Sequence, residues 1–317
     1  MKILLIDVDS KGDFPNLALM KISAYHKSLG DTVKLQRTIN IYPQLKNPDL
    51  VYMSCIFFQT KDQVNRYIDF YFKNTKYIIG GSGYDLKIKL PEHIENIIPD
   101  YDLYRTYYAI GFSSRGCIRN CKFCIVQEKE GKIKEHHSIQ QLTDNRFHRL
   151  VLLDNNFQAS KKCYEKLKYI IENKIKVNFN QGLDFRLFDD KFLSYLQQVK
   201  YYDFKFGKRS FYIALDNIKD IELFEEKIKL VLKYIKNPKH IMVYILVGFN
   251  STYQEDMERI NTVLFYNMIP YIMLYNQNLD HNLRHLRRYY NGRYYQFVRF
   301  EEYNKGCLKI FLEDYVT

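Results

Sequence analysis

Apolar runs of strand length alternate with stretches of helical apolar spacing along most of this chain. In the first part, helices are expected at 16–29 and near 62–73, and four runs predict strands: KILLIDV (2–8), TVKLQ (32–36), LVYMSCIFF (50–58) and YIIGGSG (77–83). Strands that alternate with helices are typical of a parallel α/β sheet. Such sheets bind ligands beyond the carboxyl ends of their strands, so three loops are of interest: 7–12, 57–59 and 80–83.

The second part of the chain repeats this alternation and predicts about six β/α units. Six strand-length runs occur: YAIGFSS (108–114), LVLLDNN (150–156), KVNFNQGLD (176–184), SFYIALDN (210–217), IMVYILVGFN (241–250) and PYIMLYNQN (270–278). Helix-like stretches separate them at 161–173, 189–201, 218–236 and 254–268. Each run is apolar in its body and polar past its C-terminal end, which is the end that carries the active site in β/α barrels. Polar residues also mark turns. Turns alone, however, do not explain a repeated set of Asn, Gln, Asp and Arg such as that in NFNQGLDFR.

A loop-like stretch with two prolines, PEHIENIIPDYDLY (91–104), marks the boundary between the two parts. We therefore divide the chain into an α/β domain at 1–104, a β/α domain at 105–280 and a C-terminal cap at 281–317. The longest apolar run, at 241–249, is far shorter than the ~20 residues that a membrane helix needs. The N-terminal residues show no signal-peptide pattern. We expect a cytoplasmic protein with no membrane segment.

The composition suits a globular chain with a basic surface. The chain has 317 residues, of which 46% are hydrophobic, and a formal net charge of +12. Such charge can attract nucleic acid, and small concentrations of Lys and Arg occur at 205–209 and, mixed with Tyr, at 284–293. With 29 Tyr and 22 Phe in the chain, this mixing is expected by chance. We therefore favour a solvated Lys-rich surface and leave a nucleic-acid partner open.

Three cysteines, Cys117, Cys121 and Cys124, lie within the stretch RGCIRNCKFC (115–124). In a reducing compartment a tight cysteine cluster indicates metal binding or catalysis, and thiolates bind zinc or iron–sulfur clusters. Structural zinc needs a fourth ligand, which His136 or His137 could supply. Three cysteines on a cubane of iron and sulfur would instead leave one iron open for chemistry.

The other cysteines and histidines have simpler interpretations. Cys55, Cys163 and Cys307 have no cysteine neighbours in the sequence, and we interpret them as structural. His281 and His285 have the i, i+4 spacing of a helical metal face. No third ligand follows at helical spacing, so we favour a solvated helix face there.

The stretch RGCIRNCKFC follows a strand and opens the β/α series, and in this it resembles the cluster motif of radical S-adenosylmethionine enzymes. The resemblance implies a partial (β/α)6 barrel in which Cys117, Cys121 and Cys124 hold a 4Fe–4S cluster. The unique iron would chelate S-adenosylmethionine. One electron, from a reductant such as flavodoxin or ferredoxin, would then release a 5′-deoxyadenosyl radical that takes a hydrogen atom from a substrate.

The same resemblance assigns cofactor-binding residues, all matched by position. Phe123, before the third cysteine, would lie by the adenine, and Gly248 in YILVGFN would be a close-approach position near it. LLDNNF replaces the family's acidic GGE-like element, which makes Asp154 and Asn155 candidates for the cofactor's amino end. Four residues would contact the cofactor's carboxylate and ribose or the substrate: Asn180, Gln181, Asp184 and Arg186.

The two ends of the chain also resemble parts of this family. The first domain is similar to the Rossmann-like, cobalamin-binding-like domain that precedes many such barrels, but Asp9 of Asp7-x-Asp9-x-x-Gly12 stands where a cobalt-binding histidine would be. The sequence does not decide whether cobalamin binds, and we favour a domain without it. LRHLRRYYNGRYYQFVRFEEY (283–303) resembles a tail of uncharacterised clostridial and phage members, which we expect to cover the barrel mouth.

Two hypotheses for the function follow. The first is a radical S-adenosylmethionine enzyme with an unknown substrate, whose reaction is open between methyl transfer, ring rearrangement and RNA-base modification. Methylthiolation is disfavoured, because relatives use three further cysteines in the first domain and only Cys55 lies there. The second is a non-catalytic nucleic-acid-binding protein with a Cys3His zinc knuckle. It explains the charge but not the polar strand ends, so we favour the enzyme.

Overall fold

The computed structural model describes residues 1–10, 14–275 and 280–303. These residues form an α/β fold with parallel sheets. The chain divides into two compact units: Met1–Gly111 with Gln141–Phe147, and Phe112–Gln140 with the chain from His148 onward. Within the described ranges, no helix is both long and apolar enough to cross a membrane.

The first unit contains a four-stranded parallel sheet with helices in its connections. Its elements are β1 (Lys2–Asp7), α1 (Leu17–Ser28), β2 (Thr32–Gln36), β3 (Leu50–Ser54), α2 (Lys61–Tyr71), β4 (Lys76–Gly80), α3 (Glu92–Glu95) and β5 (Ala109–Gly111). The strand order is β2-β1-β3-β4. The central strand β1 is buried on both faces: Leu4 and Ile6 pack with Val64 of α2, whereas Ile3 packs with Leu19 of α1. Alternate side chains of one strand therefore supply both layers of the core.

The second unit contains two sets of parallel strands joined by a single bridge. Its elements are β6 (Ser114–Arg115), α4 (Val126–Lys129), β7 (Lys134–Glu135), β8 (Arg149–Leu152), α6 (Cys163–Glu172), β9 (Lys176–Phe179), α7 (Asp190–Leu196), β10 (Lys200–Tyr201), β11 (Phe211–Ala214), α8 (Ile221–Tyr234), β12 (Ile241–Val247), α9 (Tyr253–Phe265), β13 (Ile269–Leu274), α10 (His281–Asn291) and α11 (Phe300–Tyr303). The helix α5 (Ile139–Thr143) lies where the chain passes between the units. A parallel bridge between Leu183 and Ile213 connects the β10-β9-β8 strands to the β11-β12-β13 strands.

The strand β12 shows why this unit needs helices on one side. Its residues alternate between fully buried positions, such as Ile245, and partly exposed ones, such as Tyr244. The apolar stripes of α8 and α9, which include Ile228 and Ile260, are also fully buried. Period-two burial of the strand and period-3.6 burial of the helices together form one apolar layer.

The structure differs from the predicted elements at several places. The helix expected at 189–201 ends at Leu196 and is followed by β10, because Tyr201 pairs with Val177 of β9. The boundary segment 91–104 contains the helix α3 rather than loop alone. The strand expected at 108–114 is split into β5 and the antiparallel β6. The predicted polar end of the last strand at 276–278, Gly12 and Cys307 lie outside the described residues.

Candidate functional site

The three cysteines lie in a loop that two short strands close at its base. We call residues 116–133 the cysteine loop; β6 precedes it and β7 follows it, and these strands pair in antiparallel register. Just inside the strands, Cys117 N donates to Gly131 O at 3.2 Å. Arg115 forms a bidentate pair with Glu130, with both N···O distances at 3.0 Å. The loop is therefore fixed at its base by these contacts between the two chain segments that close it.

The backbone conformation at the start of the cysteine loop requires a glycine, which is Gly116. Its φ of +86° lies in the left-handed region, and a Cβ there would stand 2.5 Å from Lys132 O and 2.6 Å from Gly131 O. Any side chain would force the two sides of the loop apart. Gly116 thus sets how closely Cys117 approaches the returning chain.

The three residues 154–156, which follow β8, each form hydrogen bonds with the segment 113–117 that leads into the cysteines. Asp154 accepts hydrogen bonds from Ser113 and Ser114, at 2.6–2.7 Å. Asn155 Oδ1 accepts from Gly116 N at 2.9 Å. Asn156 Nδ2 lies 3.6 Å from the Sγ of Cys117. The LLDNNF segment therefore positions the cysteine loop residue by residue.

Asp154 is a buried group whose carboxylate accepts its hydrogen bonds from Ser113 and Ser114. Only 3% of its surface is exposed. Burial raises the pKa of its carboxyl, although hydrogen bonds from Ser113 and Ser114 lower it. Its oxygens are thus engaged by the chain just before Cys117, and a contact with a cofactor's amino group stays a prediction for Asp154.

Lys166 of α6 forms a second support behind this segment. Its buried Nζ donates to Ser113 O at 3.0 Å and to Ser160 Oγ at 2.7 Å, and it lies 2.8 Å from Glu135 Oε2. Ser113 lies before the cysteine loop and Glu135 after it. One ammonium group therefore ties together the two chain segments that flank the loop.

Gln127 of α4 constrains the inside of the cysteine loop. Its Nε2 donates to Cys117 O and to Arg119 O, both at 2.6 Å. Sequence reasoning missed this residue. The available signal was an amide side chain three positions after Cys124, within the first turn that follows the cysteines.

The cysteines are free thiols, with Cys117 and Cys121 partly buried and Cys124 exposed. Cys117 Sγ accepts from Arg119 N at 3.3 Å. Burial raises the pKa of Cys121; Arg186 lowers it, and the charges of Cys124 and Cys117 raise it further. Within the described part of the chain, no group of three or more His, Cys, Asp and Glu side chains is arranged to hold a metal ion.

The end of β9 brings a carboxylate between two arginines. Asp184 Oδ2 accepts from Arg119 Nε at 2.9 Å and from Asn156 Nδ2 at 3.1 Å, and its Oδ1 accepts from Arg186 Nε at 2.7 Å. Burial raises the pKa of Asp184, but the two guanidinium groups outweigh burial and hold it below its usual value. The structure therefore joins Asp184 and Arg186, two predicted site residues, to Arg119 of the cysteine loop.

Asn180 and Gln181 lie just before this cluster. Asn180 is half-buried, and its backbone N–H donates to Leu152 O at 3.0 Å. Gln181 is exposed. Their contact with a cofactor stays a prediction, while the backbone contact places Asn180 beside the end of β8.

Phe123 and the segment after β12 meet in an aromatic contact. The ring centroids of Phe123 and Phe249 are 5.5 Å apart in an edge-on arrangement, and Phe249 also contacts Tyr275 at 4.5 Å. Gly248 has a φ of +75°, and a Cβ there would stand 2.9 Å from a methyl carbon of Leu283. Backbone geometry alone therefore accounts for this glycine. The two stretches predicted to lie near an adenine are nevertheless brought together.

Asp216, which follows β11, is a polar residue at a strand end, and its surroundings shift the pKa of its carboxyl. Burial raises its pKa to about 6, even though Leu246 N donates to Oδ1 at 3.0 Å and the charges of Arg259 and Arg186 lower it. Perturbed carboxyls of this kind concentrate at functional sites. The sequence shows Asp216 only as a polar residue after a strand. The structure adds the partly buried surroundings that raise its pKa.

The histidines offered for zinc and metal binding have other surroundings. The rings of His136 and His137 contact each other at 4.3 Å. His281 and His285 lie on α10 with their Nε2 atoms 3.2 Å apart. Within the described residues neither pair belongs to a set of three metal-ligating side chains.

In the first unit, Asp9 ties the end of β1 to the loop after β3. Its Oδ2 accepts from Ile56 N at 2.5 Å and from Phe57 N at 3.0 Å, and its Oδ1 accepts from Thr60 Oγ1 at 2.8 Å. Gly81 allows a similar close approach, since a Cβ there would stand 2.2 Å from Cys55 O. The glycine turn after β4 thus makes room for the protein's own backbone at Cys55.

Comparison with known proteins gives little further information. No protein-family model and no curated protein matches the chain. Among solved structures, it is similar to the apo, selenomethionine-labelled cobalamin-dependent S-adenosylmethionine radical enzyme OxsB, with 14% identity and a TM-score of 0.41 over 86% of this chain and 49% of that chain. This chain thus spans about half the length of OxsB. At this level the similarity establishes neither fold nor activity.

Proposed function

We propose that this chain is a radical S-adenosylmethionine enzyme whose cluster ligands are Cys117, Cys121 and Cys124. The observation that carries the proposal is the way the cysteine loop is held at two strand ends. Asn156, after β8, contacts Cys117, and Asp184, after β9, contacts Arg119. Ligand sites of parallel β/α proteins lie at this edge of the strands.

The chemical type of the donors suits a 4Fe–4S cluster. Three free thiols in one loop are soft ligands, and N–H groups of Arg119 and Asn156 point to Cys117 Sγ, as is common around cluster sulfurs. No fourth cysteine lies within the cysteine loop. When bound, such a cluster supplies one electron for the reductive cleavage of S-adenosylmethionine.

The arginines beside the loop suit the carboxylate of that cofactor. Asp184 holds Arg119 and Arg186 through their Nε atoms. The terminal nitrogens of Arg119 can therefore bind another anion, since Arg binds carboxylates through parallel N–H groups. One terminal nitrogen of Arg186, Nη1, lies 3.9 Å from Asp220 Oδ2, which leaves its Nη2 for the cofactor. We assign Asn180 and Gln181 to hydrogen bonds with polar groups of the cofactor or substrate.

The contact between Phe123 and Phe249 suits the adenine end of S-adenosylmethionine. Phe123 and Phe249 present ring surfaces near Gly248, and flat apolar groups such as adenine stack on such rings. We assign Asp154 and Asn155 to positioning the cysteine loop, because their side-chain oxygens accept hydrogen bonds from Ser113, Ser114 and Gly116.

The domain assignment belongs to the same proposal. We infer a Rossmann-like first domain at 1–104, a partial (β/α)6 barrel at 105–280 and a C-terminal cap at 281–317. The three donors on Asp9 support a structural role for this residue and do not suit a cobalt ligand. We therefore propose no step that uses cobalamin.

The test is anaerobic reconstitution with iron and sulfide, followed by dithionite and S-adenosylmethionine. We expect four irons per chain, as a 4Fe–4S cluster requires, a brown colour and 5′-deoxyadenosine as a product. Cys117→Ala should lose both cluster and product, whereas the matched control Cys163→Ala, on the buried side of α6, should keep the iron. A colourless protein with one bound zinc would overturn the proposal in favour of the zinc-knuckle hypothesis.

A further inference from the structure

The helix α10 has one buried face and one cationic face. Its buried face consists of Asn282, Leu283, Leu286, Tyr289 and Tyr290. The opposite side, which we call the basic face, consists of His281, Arg284, His285, Arg287 and Arg288. No Asp or Glu occurs between 281 and 293. The packing of this helix thus concentrates positive charge on one surface.

The basic face lines a cavity of about 560 Å³, together with Asn291, Gly292 and Tyr294. Within the ranges that the structure describes, neither Arg287 nor Arg288 is paired with a carboxylate. His281 and His285 contact each other with Nε2 atoms 3.2 Å apart. The buried Nδ1 of His285 has no hydrogen-bond partner among the described residues. The cavity therefore offers several donors and positive charges.

The charge of the cavity decides which class of ligand fits. A divalent cation is disfavoured, because three arginines repel it from the two histidines. A phosphate is favoured, since guanidinium groups bind its oxygens through paired N–H donors. The number of cations along the helix suits a chain of phosphates better than a single one.

Exposed aromatic rings follow directly after α10. Tyr294, which lines the cavity, is 39% exposed, and Phe297 is 85% exposed. A positively charged surface next to exposed rings is the combination with which proteins bind unpaired bases and their backbone. We propose that the basic face binds the phosphodiester backbone of single-stranded nucleic acid, with bases stacked on Phe297. The proposal uses no residue of the cysteine loop.

The test is fluorescence anisotropy with the full chain and a labelled single-stranded RNA of mixed sequence. We expect the double variant Arg287→Gln, Arg288→Gln to bind about tenfold more weakly, with a salt slope reduced by about 0.7 for each lost phosphate contact. The matched control is Lys229→Gln, Lys233→Gln on α8, where both lysines are exposed and the loss of charge is the same. Its affinity should change little.

Two further measurements separate backbone contact from stacking and from small anions. Phe297→Ala should weaken binding about tenfold at every salt concentration and leave the salt slope unchanged. An equal loss in the α8 control would show that only net charge matters, which would overturn the proposal. Binding of inorganic phosphate at the basic face without binding of RNA would also overturn it, in favour of a small phosphorylated ligand.

Discussion

The side-chain amide of Asn156 lies 3.6 Å from the Sγ of Cys117 and 3.1 Å from Oδ2 of Asp184. Asn156 is almost completely buried, and its Oδ1 also accepts from Ala159 N at 3.3 Å. One side chain after β8 therefore links the cysteine loop to the end of β9. Its two N–H groups face a sulfur and a carboxylate, both of which carry negative charge when ionised.

Replacing Asn156 should lower the reduction potential of the reconstituted cluster. An N–H donor stabilises negative charge on a ligating sulfur, so its loss in Asn156→Ala favours the oxidised cluster. Loss of this buried amide should also cost about 1–3 kcal/mol of unfolding free energy. A redox titration followed by electron spin resonance measures the potential. Asn180→Ala is the control, and equal potentials in the two variants would contradict the role of Asn156.

Gly116→Ala should disrupt the cysteine loop much more than Gly131→Ala. Both glycines have positive φ, +86° and +74°, but only Gly116 has backbone atoms within 3 Å of the position of a Cβ. Left-handed backbone costs an alanine about 1 kcal/mol, which is all we expect for Gly131→Ala. Gly116→Ala should add a clash of about 1–3 kcal/mol. Urea unfolding measures both, and similar losses of stability would contradict the close approach at Lys132.

Lys166→Met should destabilise the second unit by about 1–3 kcal/mol, because it removes the buried ammonium that donates to Ser113 O and Ser160 Oγ and pairs with Glu135. Lys168, on the same helix, is the matched control: it is 68% exposed and 3.8 Å from Glu172. Pairs on the surface contribute little, so Lys168→Met should cost less than about 0.5 kcal/mol.

A second substitution separates charge from packing. Glu135→Gln removes the negative charge that Lys166 neutralises. In the Lys166→Met background, Glu135→Gln should therefore restore part of the lost stability, as a double-mutant cycle measures. If the two substitutions were simply additive, the loss would come from packing of the Lys166 stem.

The sequence predicted the alternation of strands and helices because that pattern is local, but contacts across the fold were not accessible. The resemblance makes Asp154 a candidate cofactor contact, which stays a prediction. The structure shows it bonded to Ser113 and Ser114, which are 41 and 40 positions away along the chain. No local pattern reveals such partners. Asn156 and Gln127 were missed for the same reason, since their importance comes from contacts with Cys117.

The difference at β10 has a similar origin. Residues 192–201 have apolar positions that fit a helix, and α7 uses them only as far as Leu196. Tyr201 instead pairs with Val177 of β9, which lies in a different β/α unit of the sequence. Pairing between strands overrides local propensity when the partner strand is already in place.

Asp216 and Asp184 should give opposite pH dependence to stability. The pKa of Asp216 is raised to about 6 in the folded protein, so the folded state binds more protons than the unfolded state between roughly pH 4 and 6. Its contribution to stability is therefore greatest at acidic pH and is lost as the pH rises through this window. Asp216→Asn should be more stable than the native chain at pH 7, by about 3 kcal/mol, and equal to it near pH 4.

Asp184 is the matched comparison, because its pKa is lowered in the folded protein. Its contribution is present above the ordinary carboxyl pKa of about 4 and is lost as the pH falls through the folded value. Asp184→Asn should thus be less stable than the native chain at pH 7, since it leaves Arg119 and Arg186 without their carboxylate, and the difference should shrink below pH 4. Urea unfolding of both variants across this range measures the two slopes. Slopes of the same sign would mean that burial, and not the two arginines, dominates the carboxyl of Asp184.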